Sequence, residues 1–151
     1  HAALAEGARA DDKRPVIVID AGTAITCEVI DHTGRYLGGT ISPGPRLLQR
    51  SLAGETAQLP EVALDVPERA LGRSTTEAMQ ASIMYGCIDG MEGAVRRLTG
   101  ELANEPVVVM TGGWTKLLHP HLKSIDHVEP HLVLQGIYRL MANRVKGEKS
   151  M

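Results

Sequence analysis

The sequence predicts an α/β domain built on a mixed sheet, an antiparallel meander flanked by helices, and three observations predict it. Val16 to Asp20 (VIVID) is an unbroken, mostly β-branched aliphatic run, the composition of a strand covered on both faces. Ala24 to Asp31 and Arg35 to Ile41 follow at spacings that suit antiparallel neighbours, with His32 to Gly34 as the hairpin turn. After a long helical segment comes a second buried run, Pro106 to Met110 (PVVVM). A dinucleotide-binding reading has little to stand on, because the first connections are meander-like and neither GxGxxG nor GxxxxGK[ST] occurs.

The remaining elements are read in order. His1 to Ala10 favours helix, weakened by Gly7; Asp11 to Arg14 is a charged connector, and Pro15 forbids helix continuation. A chain entering directly on such a run is expected to be a portion of a longer polypeptide. Pro45 to Leu52 reads as a short helix with Pro45 in its first turn. Gly54 to Leu71, with Pro60 and Pro67, reads as a long ordered loop with a short strand near Val62 to Leu64, and loops of that length are often functional.

Ser74 and Glu77 form the capping box S-x-x-E. Ile83, Met84, Cys87, Ile88, Met91, Val95 and Leu98 then keep helical spacing up to Gly100, a good stop. Gly86, Gly90 and Gly93 share one face of this helix, which suits either tight packing against the sheet or a subunit interface. Trp114 to Leu118 begins a helix that Pro120 breaks. Leu134, Ile137, Tyr138, Met141 and Val145 mark a C-terminal amphipathic helix, and the tail from Lys146 is expected to fray.

Composition narrows the function. With no Phe, one Trp and three Tyr, the core must be aliphatic, and aromatic platforms for stacking bases are scarce. A net charge of −2 from sixteen basic and eighteen acidic residues argues against a nucleic-acid surface. No apolar run approaches the roughly 20 residues of a membrane span, and no signal core is present, so a cytoplasmic protein is expected. Cys27 and Cys87, both on apolar segments, read as reduced core residues. His119, His121, His127 and His131 invite a metal reading, but neither HExxH nor a cysteine partner supports it.

The chemistry gathers at two glycine turns. Asp20, at the end of a buried strand, can hold a cation or a water. Gly22 lets backbone N–H groups approach an anion, and the Thr23 hydroxyl can donate to a phosphate oxygen. Alternatively Asp20 merely caps its own hairpin. A second strand ending in glycines, Val107 to Gly113, can face the same nucleotide, and positioning with charge stabilisation is most of what phosphoryl transfer asks of a protein.

Four strings in order, DAGTAIT (Asp20 to Thr26), GGTISPG (Gly38 to Gly44), GRSTTEAM (Gly72 to Met79) and TGG (Thr111 to Gly113), resemble the C-terminal half of type III pantothenate kinases, a family that includes Bvg accessory factors. The resemblance runs from about Val16 to Tyr138. It implies a ribonuclease-H-like domain of the actin-like, sugar-kinase-like superfamily. It also implies ATP-dependent phosphorylation of pantothenate to 4′-phosphopantothenate in coenzyme A synthesis, with Mg²⁺ and a monovalent cation, K⁺ or NH₄⁺, in a homodimer.

By motif, the resemblance makes Asp20 the monovalent-cation aspartate, Thr23 an ATP-phosphate contact and Thr75 a pantothenate contact, with Gly112 and Gly113 on the nucleotide side. Ser74 can cap the helix, which frees Thr75 for a ligand. The family's catalytic base lies in a G-x-D-R motif about twenty residues ahead of the DxGT aspartate, a position before His1. Residues 1–14 are therefore expected to continue from a separate N-terminal half, 15–145 to form the C-terminal domain, and 146–151 to be the tail. This chain alone is expected to be inactive. A non-catalytic accessory or regulatory protein of the same fold is the alternative.

Overall fold

The computed structural model describes residues 14–55 and 60–139. β1 (Val16–Ala21), β2 (Ala24–Ile30) and β3 (Tyr36–Pro43) form the meander, and α1 (Pro45–Glu55) follows it. A strap without regular structure, 60–73, leads to α2 (Thr75–Thr99). β4 (Val107–Thr111), α3 (Thr115–Leu118), a 3₁₀ turn (His119–His121), β5 (His127–Val128) and α4 (132–139) complete the described part.

The five strands lie in the order β3-β2-β1-β4-β5. β2 is antiparallel to both neighbours, whereas β1, β4 and β5 run parallel. The expected mixed sheet with its antiparallel meander is therefore the observed one. β1 sits at its centre, which is why its aliphatic run needs cover on both faces.

Strand alternation divides the core. Ile17, Ile19, Ala21, Ile25, Cys27, Val29, Val108 and Met110 point to one face, where α2 lays down Met79, Ile83, Met84, Cys87, Ile88, Met91 and Val95. Val16, Val18, Ile30, Val107 and Val109 occupy the opposite face with Leu132 of α4. Both cysteines are buried and free, as expected, and burial pushes the Cys87 thiol up to about 11.

Three expectations change. Val62 to Leu64 forms no strand; Val62 is buried and Leu64 partly so, and both pack on the core from an irregular backbone. Gly86 and Gly90 are not tightly packed, because a Cβ at either would meet nothing within 4 Å. They border instead a groove of about 410 Å³ lined also by Pro43, Leu48, Leu52 and Ile83. In α4 the expected apolar face is exposed, Leu134 at 64%, Ile137 at 43% and Tyr138 at 74%, while Leu132 and Gly136 are buried. The helical period is present, but this sheet is not what its stripe faces. The helix read over His1 to Ala10, and Met141 and Val145, lie outside the described residues.

Candidate functional site

β1 ends in the Asp20 turn because β2 starts at once beside it. Ala21 pairs with Ile25, and the Gly22 amide donates to the Ala24 carbonyl at 3.0 Å. β3 comes to the same corner, its Pro43 opposite Ala24, and the Gly44 amide donates to the Thr23 carbonyl at 3.0 Å. The approach is so close that a Cβ on Gly44 would lie 2.6 Å from the carbonyl oxygens of both Gly22 and Thr23. Gly44 is thus the only residue type that fits where β3 hands over to α1.

β4 brings the second turn. Thr111 is the register neighbour of Asp20, so the two strands end side by side. Gly112 has φ of +101°, open to glycine and strained for other residues, and a Cβ there would lie 2.5 Å from Asp20 Oδ1 and 2.6 Å from the Ala21 carbonyl. The Trp114 amide then donates to the Ala21 carbonyl at 3.0 Å, tying the start of α3 to the end of β1. Gly113 differs, with open space where a side chain would stand. Asp20, Gly22, Thr23, Gly112 and Gly113 therefore share one corner, with the Thr23 side chain exposed.

Asp20 is costly to ionise in this corner. Burial, and then the negative charge of Glu28, push the Asp20 carboxyl above its ordinary range. Glu28 is 3% exposed and lies opposite Val18, on the same sheet face as Asp20, and burial raises it too. A cation beside Asp20 would offset both costs. The Gly22 amide of this turn goes to the Ala24 backbone carbonyl and not to the Asp20 carboxyl.

Sequence reasoning missed Thr115. It is 7% exposed, and its Oγ1 has no hydrogen-bond partner among the described residues, an unsatisfied hydroxyl one turn beyond Gly112. Its only sequence signal is a threonine following TGGW. Among the described residues no group of three or more His, Cys, Asp or Glu is placed to hold a metal ion. His119, His121, His127 and His131 are dispersed over the 3₁₀ turn, β5 and the residue before α4.

Thr75 stands apart from this corner. It is exposed at the first position of α2, and none of the contacts that join the Asp20 turn to Gly44 and Gly112 involves it. The cap is as expected on one side, where Ser74 Oγ accepts from the Glu77 amide at 3.2 Å. The return bond goes one residue further back, the Arg73 amide donating to Glu77 Oε2 at 2.7 Å. Gly72 lies against the backbone of Glu77 and Ala78 with no room for a Cβ. A recess of about 410 Å³, lined by Pro67, Glu68, Arg69, Leu71, Arg73 and Glu77, opens beside this turn.

Residues 1–97 match the family model described as type III pantothenate kinase. The chain belongs to that family. Relatives named type III pantothenate kinase include one from Moorella thermoacetica, 43% identical over 82% of this chain and 48% of that protein. Another, from Symbiobacterium thermophilum, is 45% identical over 85% of this chain and 48% of that protein. The chain thus spans about half the length of the curated family members it matches.

The fold agrees. A Baf-family protein from Campylobacter jejuni, described as a transcriptional activator, superposes with a TM-score of 0.66 at 20% identity over 88% of this chain and 60% of that one. The Alp12 filament protein gives 0.62 at 10% identity over 95% and 52%. The kinase-family chain has the actin-like fold. Among the described residues, no helix is long and apolar enough to cross a membrane.

Proposed function

We propose that this chain is the nucleotide-side, C-terminal half of a kinase that phosphorylates pantothenate to 4′-phosphopantothenate with Mg²⁺-ATP. The observation that carries the reading is the convergence of the Asp20 and Gly112 turns at the ends of adjacent parallel strands, in a member of the type III pantothenate kinase family. Such a corner can orient a polyphosphate with amides, a hydroxyl and a bound cation.

In this reading Asp20 holds the monovalent cation, K⁺ or NH₄⁺, which neutralises phosphate charge when bound. The Thr23 hydroxyl donates to a phosphate oxygen, and Gly22, Gly112 and Gly113 let the backbone come close to the nucleotide. Thr75 contacts pantothenate from the start of α2. Residues 15–145 form the domain, 1–14 link it to an N-terminal half that supplies the catalytic base, and 146–151 are a tail. The working form is a homodimer, for which the open glycine face of α2 is a candidate seam.

A coupled kinase assay with the N-terminal half supplied and K⁺ present tests this. Turnover of pantothenate is expected, and Thr75→Ala should raise the pantothenate KM more than the ATP KM. No turnover together with no nucleotide binding by calorimetry would instead support a non-catalytic accessory role.

A further inference from the structure

The strap between α1 and α2 has no regular structure, yet both helices fasten its backbone. Gln49 of α1 donates its side-chain amide to the Val62 carbonyl. Gln80 of α2 donates to the Asp65 carbonyl at 3.0 Å, and the Tyr85 hydroxyl donates to the Pro67 carbonyl at 2.6 Å. The Tyr85 ring is itself packed against the core, so the last mooring is rigid. Beyond Pro67 the strap walls the recess, passes through Gly72 and delivers Ser74 and Thr75 to the start of α2. One helix therefore carries both the substrate-side threonine and, through Glu77, Gln80 and Tyr85, most of the moorings of the wall beside it.

We propose that Tyr85 is a positioning residue for the substrate end of α2, its hydroxyl fixing the strap at Pro67 and so the wall flanking Thr75. This rests on the reading of Thr75 as a pantothenate contact. Without the hydroxyl, residues 67–73 sample more conformations, and a ligand bound against them must restore their order at a cost in affinity. The Asp20 corner shares no contact with the mooring, so nucleotide binding is untouched.

The test is Tyr85→Phe in the complete enzyme, which removes one hydroxyl and keeps the ring. The pantothenate KM is expected to rise about fivefold, the loss of one neutral hydrogen bond, with kcat and the ATP KM unchanged. Trypsin cleavage after the exposed Arg69 and Arg73 should accelerate in parallel. Gln80→Met, which releases the Asp65 carbonyl, should act in the same direction. An unchanged pantothenate KM in an active enzyme, or equal rises for both substrates, would overturn the proposal. A parent protein that turns over no pantothenate would sink the functional reading instead; the cleavage rate then decides the mooring, faster in the variant supporting it and unchanged overturning it.

Discussion

The Asp20 corner and the start of α2 both present hydroxyls and backbone amides at a turn, and they are held by contacts of opposite range. At the corner, residues 20–23, 43–44 and 111–114 come from three distant parts of the chain and touch backbone to backbone. At the start of α2 the immediate contacts join residues three to six apart, Ser74 with Glu77, Arg73 with Glu77 and Gly72 with Ala78, while the strap leading to it is moored from Gln80 and Tyr85. The first is held by steric fit and has no freedom to adjust. The second is held largely by hydrogen bonds that can be weakened one at a time.

Substitutions sharpen this contrast. Gly112→Ala adds a clash with Asp20 and Ala21 to an unfavourable φ, and should cost about 3 to 5 kcal/mol. The check is the denaturant midpoint, and a loss under about 1 kcal/mol would mean that the corner relaxes. Gly72→Ala meets the backbone of α2 and should cost about 1 to 3 kcal/mol by the same measurement, less than Gly112→Ala because a surface strap can move. Ser74→Ala removes only the cap and should cost about 1 kcal/mol.

The smallest effects concern charge. The Asp31 carboxylate, in the β2–β3 turn, accepts from Thr33 Oγ1 and from the amides of Thr33 and Arg35, and these bonds hold it down to about 2. A depressed folded value means that this stabilisation is complete above the ordinary carboxylate range and fades as pH falls through about 2. Asp31→Asn should therefore lower the melting midpoint at pH 7, and the difference should shrink as pH falls through about 2. Asp20 has the opposite sign. Its raised value means that stability falls as pH rises through it, since ionising the half-buried carboxyl is costly. Asp20→Asn should leave the pH 7 midpoint equal or higher, while abolishing the response of the complete enzyme's activity to K⁺; a destabilised variant would break the assignment of the shift to burial.

The same contrast in range explains what could be read from the sequence. The α2 cap was legible because Ser74 and Glu77 signal within four residues, and the core stripe from Ile83 to Val95 because helical period is local. β1 and β4 were legible as buried strands, but their adjacency was not, since nothing in VIVID or PVVVM names its partner. Thr115 escaped notice for that reason: its hydroxyl matters only once the Gly112 turn has been folded against Asp20. The stripe of α4 misled because a helical period says that a face is apolar and not what covers it.

The register of β1 against β4 also sets the longest closure in the described sheet. The meander closes through short turns, whereas the pairing of Val16 with Val107 must close a loop of about ninety residues, a larger entropic cost. Gly112 reaches Asp20 through that pairing and the Trp114–Ala21 backbone bond beside it, so the corner depends on that closure. Without that closure the Asp20 hairpin has no Gly112 turn to oppose it.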